Sequence, residues 1–437
     1  MVVAVALLLG LHPDDELASR MERWVHDART VGFSGAVLAA RDGELLFATA
    51  VGTSGPDGSP LTTETLFEIA SVSKQFTAAA VLLLRQDGAL ELDDPLHEHL
   101  PDIPDDCRAI TLRHLLQHTS GISPRNSRGR GEYDEVVAGF LAGGPQHEPG
   151  THFAYWNQGY ALLSEVVARA SGRPFTDFCR ERIFEPAGLE ATCFTGDQAP
   201  GDHPVATGTS SVGAPRTALE HPYGSFGLQY RGMGGVVTNV HDLWRWERVL
   251  AEGSLLDEES LAELFAPGPG GYALGWRVGR TLEDTPYASH GGSVRGFTCE
   301  LRRYPSRDGA LIVLSNRQGD LSMRRFAYAL QAMLLGERSR APAPPAPLDA
   351  DTLEDLVGEY VDERGNVFGV DDGGGWARVR IDWAASFPTT RAALGREPDG
   401  PGLVLHEWAG LTPVEVFRTP GRPARGLEIH ASIYERR

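Results

Sequence analysis

Ser71 and Lys74 stand three residues apart in the run Phe67-Glu68-Ile69-Ala70-Ser71-Val72-Ser73-Lys74-Gln75-Phe76-Thr77. On a helix that spacing puts both side chains on one face, in reach of each other. A serine hydroxyl is a weak nucleophile near neutral pH and needs a base at hydrogen-bond distance. A lysine serves once burial or neighbouring charge has lowered its pKa. Ser71 falls near the predicted helix N-terminus, where free backbone N–H groups favour developing negative charge. The stretch therefore offers nucleophile, base and part of an oxyanion hole. Taken alone, the spacing is a weak signal that reads more often as a serine N-cap followed by a solvated lysine. The flanks argue otherwise. Ile69, Ala70, Val72, Phe76 and residues 78–84 are apolar or small, so Lys74 is expected to be partly buried, a costly place for a charge.

Two further stretches carry chemistry-bearing side chains. In Pro149-Gly150-Thr151-His152-Phe153-Ala154-Tyr155-Trp156-Asn157 the alternate residues Tyr155 and Asn157 share a face of an extended segment. A tyrosine beside a lysine relays protons, and an asparagine can donate to a substrate carbonyl and accept from the lysine. On their own they also read as a core tyrosine and an N-cap. His290-Gly291-Gly292-Ser293 lies within a predicted strand meander, and its glycines leave room for a substrate backbone. Arg231 and Arg295 flank this region as candidate carboxylate anchors. His114 and His118 have metal-ligand spacing but no acidic partner motif, and read as structural or capping residues.

The elements that must position these residues follow the chain. Residues 14–28 form a predicted amphipathic helix, and residues 34–40 and 44–50 a hairpin turned by Arg41-Asp42-Gly43. The Ser71 helix closes at Asp87-Gly88. Residues 96–227 are mostly helical pieces with polar loops, an insert into a sheet domain. Strands return over 272–278, 287–289, 297–304 and 310–315, followed by a helix over 322–335. The expectation is an α+β core with a mostly antiparallel sheet. Residues 337–349 are a proline-rich linker. Residues 350–437 read as a small β barrel or sandwich, with Tyr360, Phe368, Trp376, Val379, Ile381, Val404, Val414, Val416 and Ile433 as strand-like apolar positions.

Bulk properties narrow the function. The 437 residues carry a formal charge of −19, which argues against nucleic acid and anionic membrane surfaces as partners. No apolar span is long enough for a transmembrane helix. Residues 1–13 include an apolar run that reads as a signal remnant without a basic start, so export is favoured over a cytoplasmic location. The four cysteines, Cys107, Cys179, Cys193 and Cys299, are expected as free buried thiols, with a Cys179–Cys193 bridge the alternative in an exported protein.

Ser71-x-x-Lys74, Tyr155-x-Asn157 and His290-Gly291-Gly292, in that order, resemble the triple signature of the serine β-lactamase and penicillin-binding-protein superfamily. The class C-like branch, with its D-peptidases, D-aminopeptidases and family VIII-type esterases, is the nearest match. The flanks agree: Ile110-Thr111-Leu112-Arg113-His114-Leu115-Leu116-Gln117-His118-Thr119-Ser120-Gly121-Ile122, Tyr272-Ala273-Leu274-Gly275-Trp276 and Gly234-Gly235. The resemblance spans about residues 20–335. It implies the β-lactamase/transpeptidase-like fold, an antiparallel sheet flanked by helices with an all-helical subdomain, and a small C-terminal β domain beyond it. It implies Ser71 as acylated nucleophile, Lys74 as base, Tyr155 in proton transfer, Asn157 as an orienting group, and the amides of Ser71 and Ser293 as oxyanion hole. No metal or cofactor is implied. His290 stands where the family commonly has lysine and Gly291 where it has threonine, which turns the expectation from a β-lactamase towards an esterase or D-peptidase acting on a small molecule or peptide. Transfer to an amine, weak β-lactamase activity and a non-catalytic acyl-binding sensor or scaffold are the alternatives.

Overall fold

The computed structural model describes residues 13–55, 58–123, 133–210, 213–223, 230–318, 323–337, 348–363 and 365–372, and the barrel strands beyond. The start of the chain, most of the loop over 123–132, the proline-rich stretch 338–347 and Trp376 lie outside the described residues.

Helix α1 (Pro13–Asp27) leads through a short turn into the hairpin β1 (Gly35–Arg41) and β2 (Glu44–Val51). Helix α2 (Lys74–Gln86) follows, then α3 (Asn157–Ser171) and α4 (Val240–Glu252). The chain returns to the sheet as β3 (Arg277–Arg280), β4 (Pro286–Val294), β5 (Phe297–Tyr304) and β6 (Gly309–Ser315), and α5 (Met323–Leu335) ends this unit. The six strands pair antiparallel in the order β2-β1-β6-β5-β4-β3.

Two-residue alternation gives each strand two faces, and both faces of the sheet's centre are buried. Val37, Ala39, Leu311 and Val313 pack under α1 and α5 with Met21, Val25, Phe326 and Leu330. Ala36, Leu38, Ile312 and Leu314 face the other way, onto α2 and α4. Burying one large apolar side chain stabilises by about 1.5–3 kcal/mol, so the two layers set the sheet firmly. Helix α2 is enclosed on all sides, buried from Lys74 to Leu84. A helix enclosed in this way is apolar around its whole circumference, and each polar residue on it needs a reason. Thr77 donates to the Gly232 carbonyl at 2.7 Å and Gln75 accepts from the Trp246 indole at 3.2 Å.

The stretch 96–227 supplies mostly helices. Cys193–Phe194, from within it, joins Val236–Thr238 and Phe67–Glu68 in a three-stranded sheet, and Phe67–Glu68 runs directly into Ser71. Further along the chain, helix Ala350–Leu356 is capped by Asp349 and precedes a closed barrel of eight antiparallel strands. Each strand pairs with the next, and the last returns to the first at Tyr360↔Arg436. Of the expected apolar positions, Tyr360, Phe368 and Val379 lie in its core. All four cysteines are free and buried, so Cys179 and Cys193 are not bridged. No helix among the described residues is long and apolar enough to cross a membrane.

Candidate active site

Ser71 does not begin the α-helix. It lies in a 3₁₀ turn, Ala70–Ser73, that hands over to α2 at Lys74. Ala70, just before it, is held at φ +44, a region that L-residues visit at a cost of about 1–3 kcal/mol. The surroundings enforce it. Ile69 N–H donates to the Val236 carbonyl at 3.0 Å, and the Cys299 thiol lies 3.1 Å from the Ile69 carbonyl. Strand β4 crosses at Gly292, where a Cβ would fall 2.4 Å from the Ile69 oxygen and 2.6 Å from Cys299 Sγ. Only glycine lets the strand run this close to the serine turn.

Lys74 Nζ lies 3.1 Å from Ser71 Oγ and donates to the Met233 carbonyl at 2.8 Å. Lys74 is wholly buried and forms no ion pair with a carboxylate among the described residues. Burial alone drives its pKa well below the ordinary lysine value. A lone buried ammonium costs several kcal/mol, whereas each unit of pKa depression costs about 1.4 kcal/mol, so giving up the proton is the cheaper course. The neutral form, which burial favours, keeps an N–H on the Met233 carbonyl, which can only accept, and has a lone pair to offer the Ser71 hydroxyl. The faces of Tyr155 and Tyr160 lie 5.1 and 5.5 Å from Nζ. They stabilise the ammonium once it forms.

Tyr155 is gripped by His118 on both sides of its own position. The His118 carbonyl accepts from Ala154 N–H at 2.9 Å, and its Nδ1 accepts from Trp156 N–H at 3.1 Å. The rings of His118 and Tyr155 lie 4.2 Å apart. The Tyr155 hydroxyl is buried with no partner of hydrogen-bond geometry among the described residues. Burial pushes its pKa up to about 12, moderated by the nearby Ser71 and Tyr272 hydroxyls and Arg277. His290 is buried at the other side, its ring centroid 6.2 Å from that of Tyr155. Its Nδ1 lies 2.7 Å from the Gly291 carbonyl and its Nε2 2.9 Å from the Tyr272 hydroxyl. Burial first, then Lys74 and Arg277, lower its pKa to about 3, so the imidazole is neutral.

The structure thus gathers Ser71, Lys74, Tyr155, His290 and Gly292. The other sequence candidates lie at its edges. Asn157 opens α3, half-buried, and no hydrogen bond of its side chain occurs among the described residues; the Met233 carbonyl holds Lys74 instead. The Ser293 hydroxyl accepts from Gln318 at 3.0 Å. A side chain at Gly291 would meet the Glu300 carboxylate at 2.7 Å. Arg295 is exposed in the β4–β5 turn, packed over Gly213. His114 closes a capping box with Thr111 at 3.1 and 3.3 Å. No cluster of three metal-binding side chains occurs among the described residues.

Sequence reading missed four contributors: His118 as the clamp on Tyr155, the Met233 carbonyl, Tyr272, and Arg277. The exposed Arg277 guanidinium lies 5.6, 6.0 and 5.5 Å from the rings of Phe153, Tyr155 and Tyr272, and forms no ion pair among the described residues. The run Tyr272-Ala273-Leu274-Gly275-Trp276 was the available signal. Its Gly275, at φ +78, packs against the Lys74 carbonyl, 2.9 Å from where a Cβ would stand.

The family described as Beta-lactamase matches residues 21–335. Penicillin-binding protein 4* of Bacillus subtilis (strain 168) is 30% identical over 363 residues, covering 75% of this chain and 79% of that protein. A D-aminopeptidase of Brucella anthropi is 28% identical over 364 residues, covering 78% of this chain and 66% of that protein. Among solved structures, the octameric penicillin-binding protein homologue from Pyrococcus abyssi shares the fold, with a TM-score of 0.65 at 21% identity over 95% of this chain and 99% of that one.

Proposed function

Because this chain belongs to the beta-lactamase family and is a serine hydrolase, we propose that it cleaves an ester or a D-amino-acyl amide or peptide through an acyl-enzyme on Ser71. The observation that carries this reading is the 3.1 Å approach of Ser71 to a lysine that is buried, lacks a carboxylate partner and is therefore a base at rest. Ser71 Oγ attacks the carbonyl carbon as its proton passes to Lys74. The new charge on Lys74 meets the Met233 carbonyl and two tyrosine faces. The oxyanion is received by the amides of Ser71 and Ser293. The tight crossing at Gly292 supports that pairing, since it sets the strand against the serine turn. Oxyanion donors of this kind are worth roughly 3–4 kcal/mol each. Tyr155 then returns a proton to the leaving group, and water releases the acyl chain.

Lys74, His118 and His290 are all driven towards their neutral forms by burial, which leaves Arg277 as the exposed charge at these rings. A substrate with a carboxylate near the scissile bond fits that charge. The relatives named for penicillin binding and for D-aminopeptidase activity support the D-amino-acyl class. The test is intact mass after exposure to a fluorophosphonate, a p-nitrophenyl ester, D-alanine p-nitroanilide and a penicillin, with wild type and Ser71→Ala. One adduct on Ser71, absent from the variant, is the expected result, and the substrate that turns over selects esterase or D-peptidase. Labelling that persists in Ser71→Ala would overturn the reading.

A further inference from the structure

The third motif carries a histidine where a constant cation would otherwise stand, and its surroundings decide what that histidine can do. Both ring nitrogens of His290 are engaged inside the protein. Nδ1 faces the Gly291 carbonyl at 2.7 Å. A carbonyl only accepts, so Nδ1 must bear a proton. Nε2 lies 2.9 Å from the hydroxyl of Tyr272, which is wholly buried. The groups that face this imidazole come from every element packed around it: Lys74 on α2, His118 and Tyr155 from the helical insert, Arg277 on β3, and Tyr272 before it. Each is neutral or cationic. The nearby carboxylate of Glu300, opposite Gly291 on β5, is paired with Arg302 at 2.8 Å and lies beside residue 291, whose side-chain direction is opposite to that of His290. The Gly291 carbonyl alone favours a charged ring, and burial with the neighbouring cations outweighs it, so the neutral ring with its proton on Nδ1 needs a donor at Nε2.

We infer that Tyr272 is a positioning residue: its hydroxyl donates to His290 Nε2, locks the imidazole as the Nδ1–H tautomer and removes it from acid–base chemistry. This rests on the serine acyl-enzyme reading only for its consequence. His290 then has no proton to give and no free lone pair to take one. The leaving group must be protonated by Tyr155, which returns the proton that Ser71 released through Lys74, so the proton count closes without the histidine. His290 acts as a fixed neutral wall that stiffens β4 beside the substrate, and any substrate carboxylate is left to Arg277.

The tautomer can be read without catalysis. The full chain carrying ¹⁵N-histidine is measured by long-range ¹H–¹⁵N NMR, with His290→Asn to assign the ring. In the wild type, His290 is expected to show a protonated Nδ1 and a bare Nε2, unchanged from pH 5 to 9. In a folded Tyr272→Phe the Gly291 carbonyl still holds the Nδ1 proton, and the Nε2 ¹⁵N signal is expected to move downfield, towards that of a lone pair without a donor, while the pH dependence of kcat/KM for the substrate found above stays as it was because burial still holds the ring neutral. A wild-type ring that is Nε2–H, or that titrates between pH 5 and 8, overturns the inference even if the variant does not fold. An unmoved Nε2 signal in a folded Tyr272→Phe overturns it as well. Neither outcome touches the Ser71 adduct, so the two readings fail separately.

Discussion

Two buried polar clusters flank Ser71, and they are built on opposite terms. Three residues before it, Glu68 is enclosed with Arg216 and Tyr230: the guanidinium and the phenol both donate to its carboxylate. Arg216 gives three further donors to the carbonyls of Arg295, Thr217 and Glu220. Three residues after Ser71, Lys74 is enclosed with Tyr155, His118 and His290, with no carboxylate among them. This second cluster leaves the Tyr155 hydroxyl, His118 Nε2 and the Gln75 amide nitrogen without partners among the described residues. Burial raises the pKa of Glu68 and lowers that of Lys74. The first cluster answers with paired charge and the second with neutrality. A paired network holds a shape. A neutral, partly unpartnered one keeps lone pairs and protons available for a substrate.

The comparison can be broken most directly at Lys74. Lys74→Met is expected to cut the rate of Ser71 acylation by about 10³-fold, the scale of a lost general base, while thermal unfolding shows no loss of stability. A large fall in Tm would mean that Lys74 is held as a paired charge after all. Glu68→Ala should do the reverse: stability falls by about 3–5 kcal/mol because Arg216 is left buried and unpaired, as read by denaturant unfolding. Tyr155→Phe removes a hydroxyl without a hydrogen-bond partner among the described residues, so stability should hold while kcat drops by about 10²-fold. Equal losses in kcat and stability would place Tyr155 with the structural cluster.

Two smaller effects sharpen the contrast. Glu247 is half-paired, with one oxygen 3.4 Å from Arg303 Nε and the other without a partner among the described residues. Burial raises its pKa to about 7, above its unfolded value. The folded state therefore holds the proton more tightly, and this contribution to stability is present at acid pH and lost as pH rises through about 7. Glu247→Gln should raise stability by roughly 2–3 kcal/mol at pH 8 and change little near pH 4.5, as measured by Tm at the two pH values. Arg277→Ala should raise KM by about tenfold, near 1.4 kcal/mol, for a substrate with a carboxylate and leave a neutral ester unaffected.

Much of the frame was legible because it depends on local pattern. The continuous apolar, β-rich runs at 34–40 and 310–315 announced strands, and Asp42-Gly43 announced the hairpin of 34–40 with 44–50. The apolar or small residues around Lys74 (Ile69, Ala70, Val72, Phe76 and residues 78–84) announced its burial. What escaped depended on backbone groups and on distant approach. A carbonyl such as that of Met233 carries no residue signature, and 159 positions separate it from Lys74. Tyr272 and His290 are 18 apart, and nothing in either residue type says that one will hold the other's proton. The C-terminal strands were readable one by one, whereas closure into a barrel is a pairing between first and last.

The sequence by itself determined which groups carry the chemistry: a serine and a lysine at helical spacing, a tyrosine ahead of a helix, and a histidine with two glycines on a strand. It also determined the burial that sets their charge, since an ionisable group among apolar neighbours gives up its charge wherever the chain places it. Only the tertiary structure decided direction. It set Lys74 between Ser71 and the Met233 carbonyl, set Tyr155 between two contacts from His118, and placed Arg277 over the aromatic rings while leaving Arg295 exposed in the β4–β5 turn. The reason is physical: burial is a sum over many neighbours and survives small errors in placement, whereas a hydrogen bond is a single distance and angle that exists only once the fold is complete.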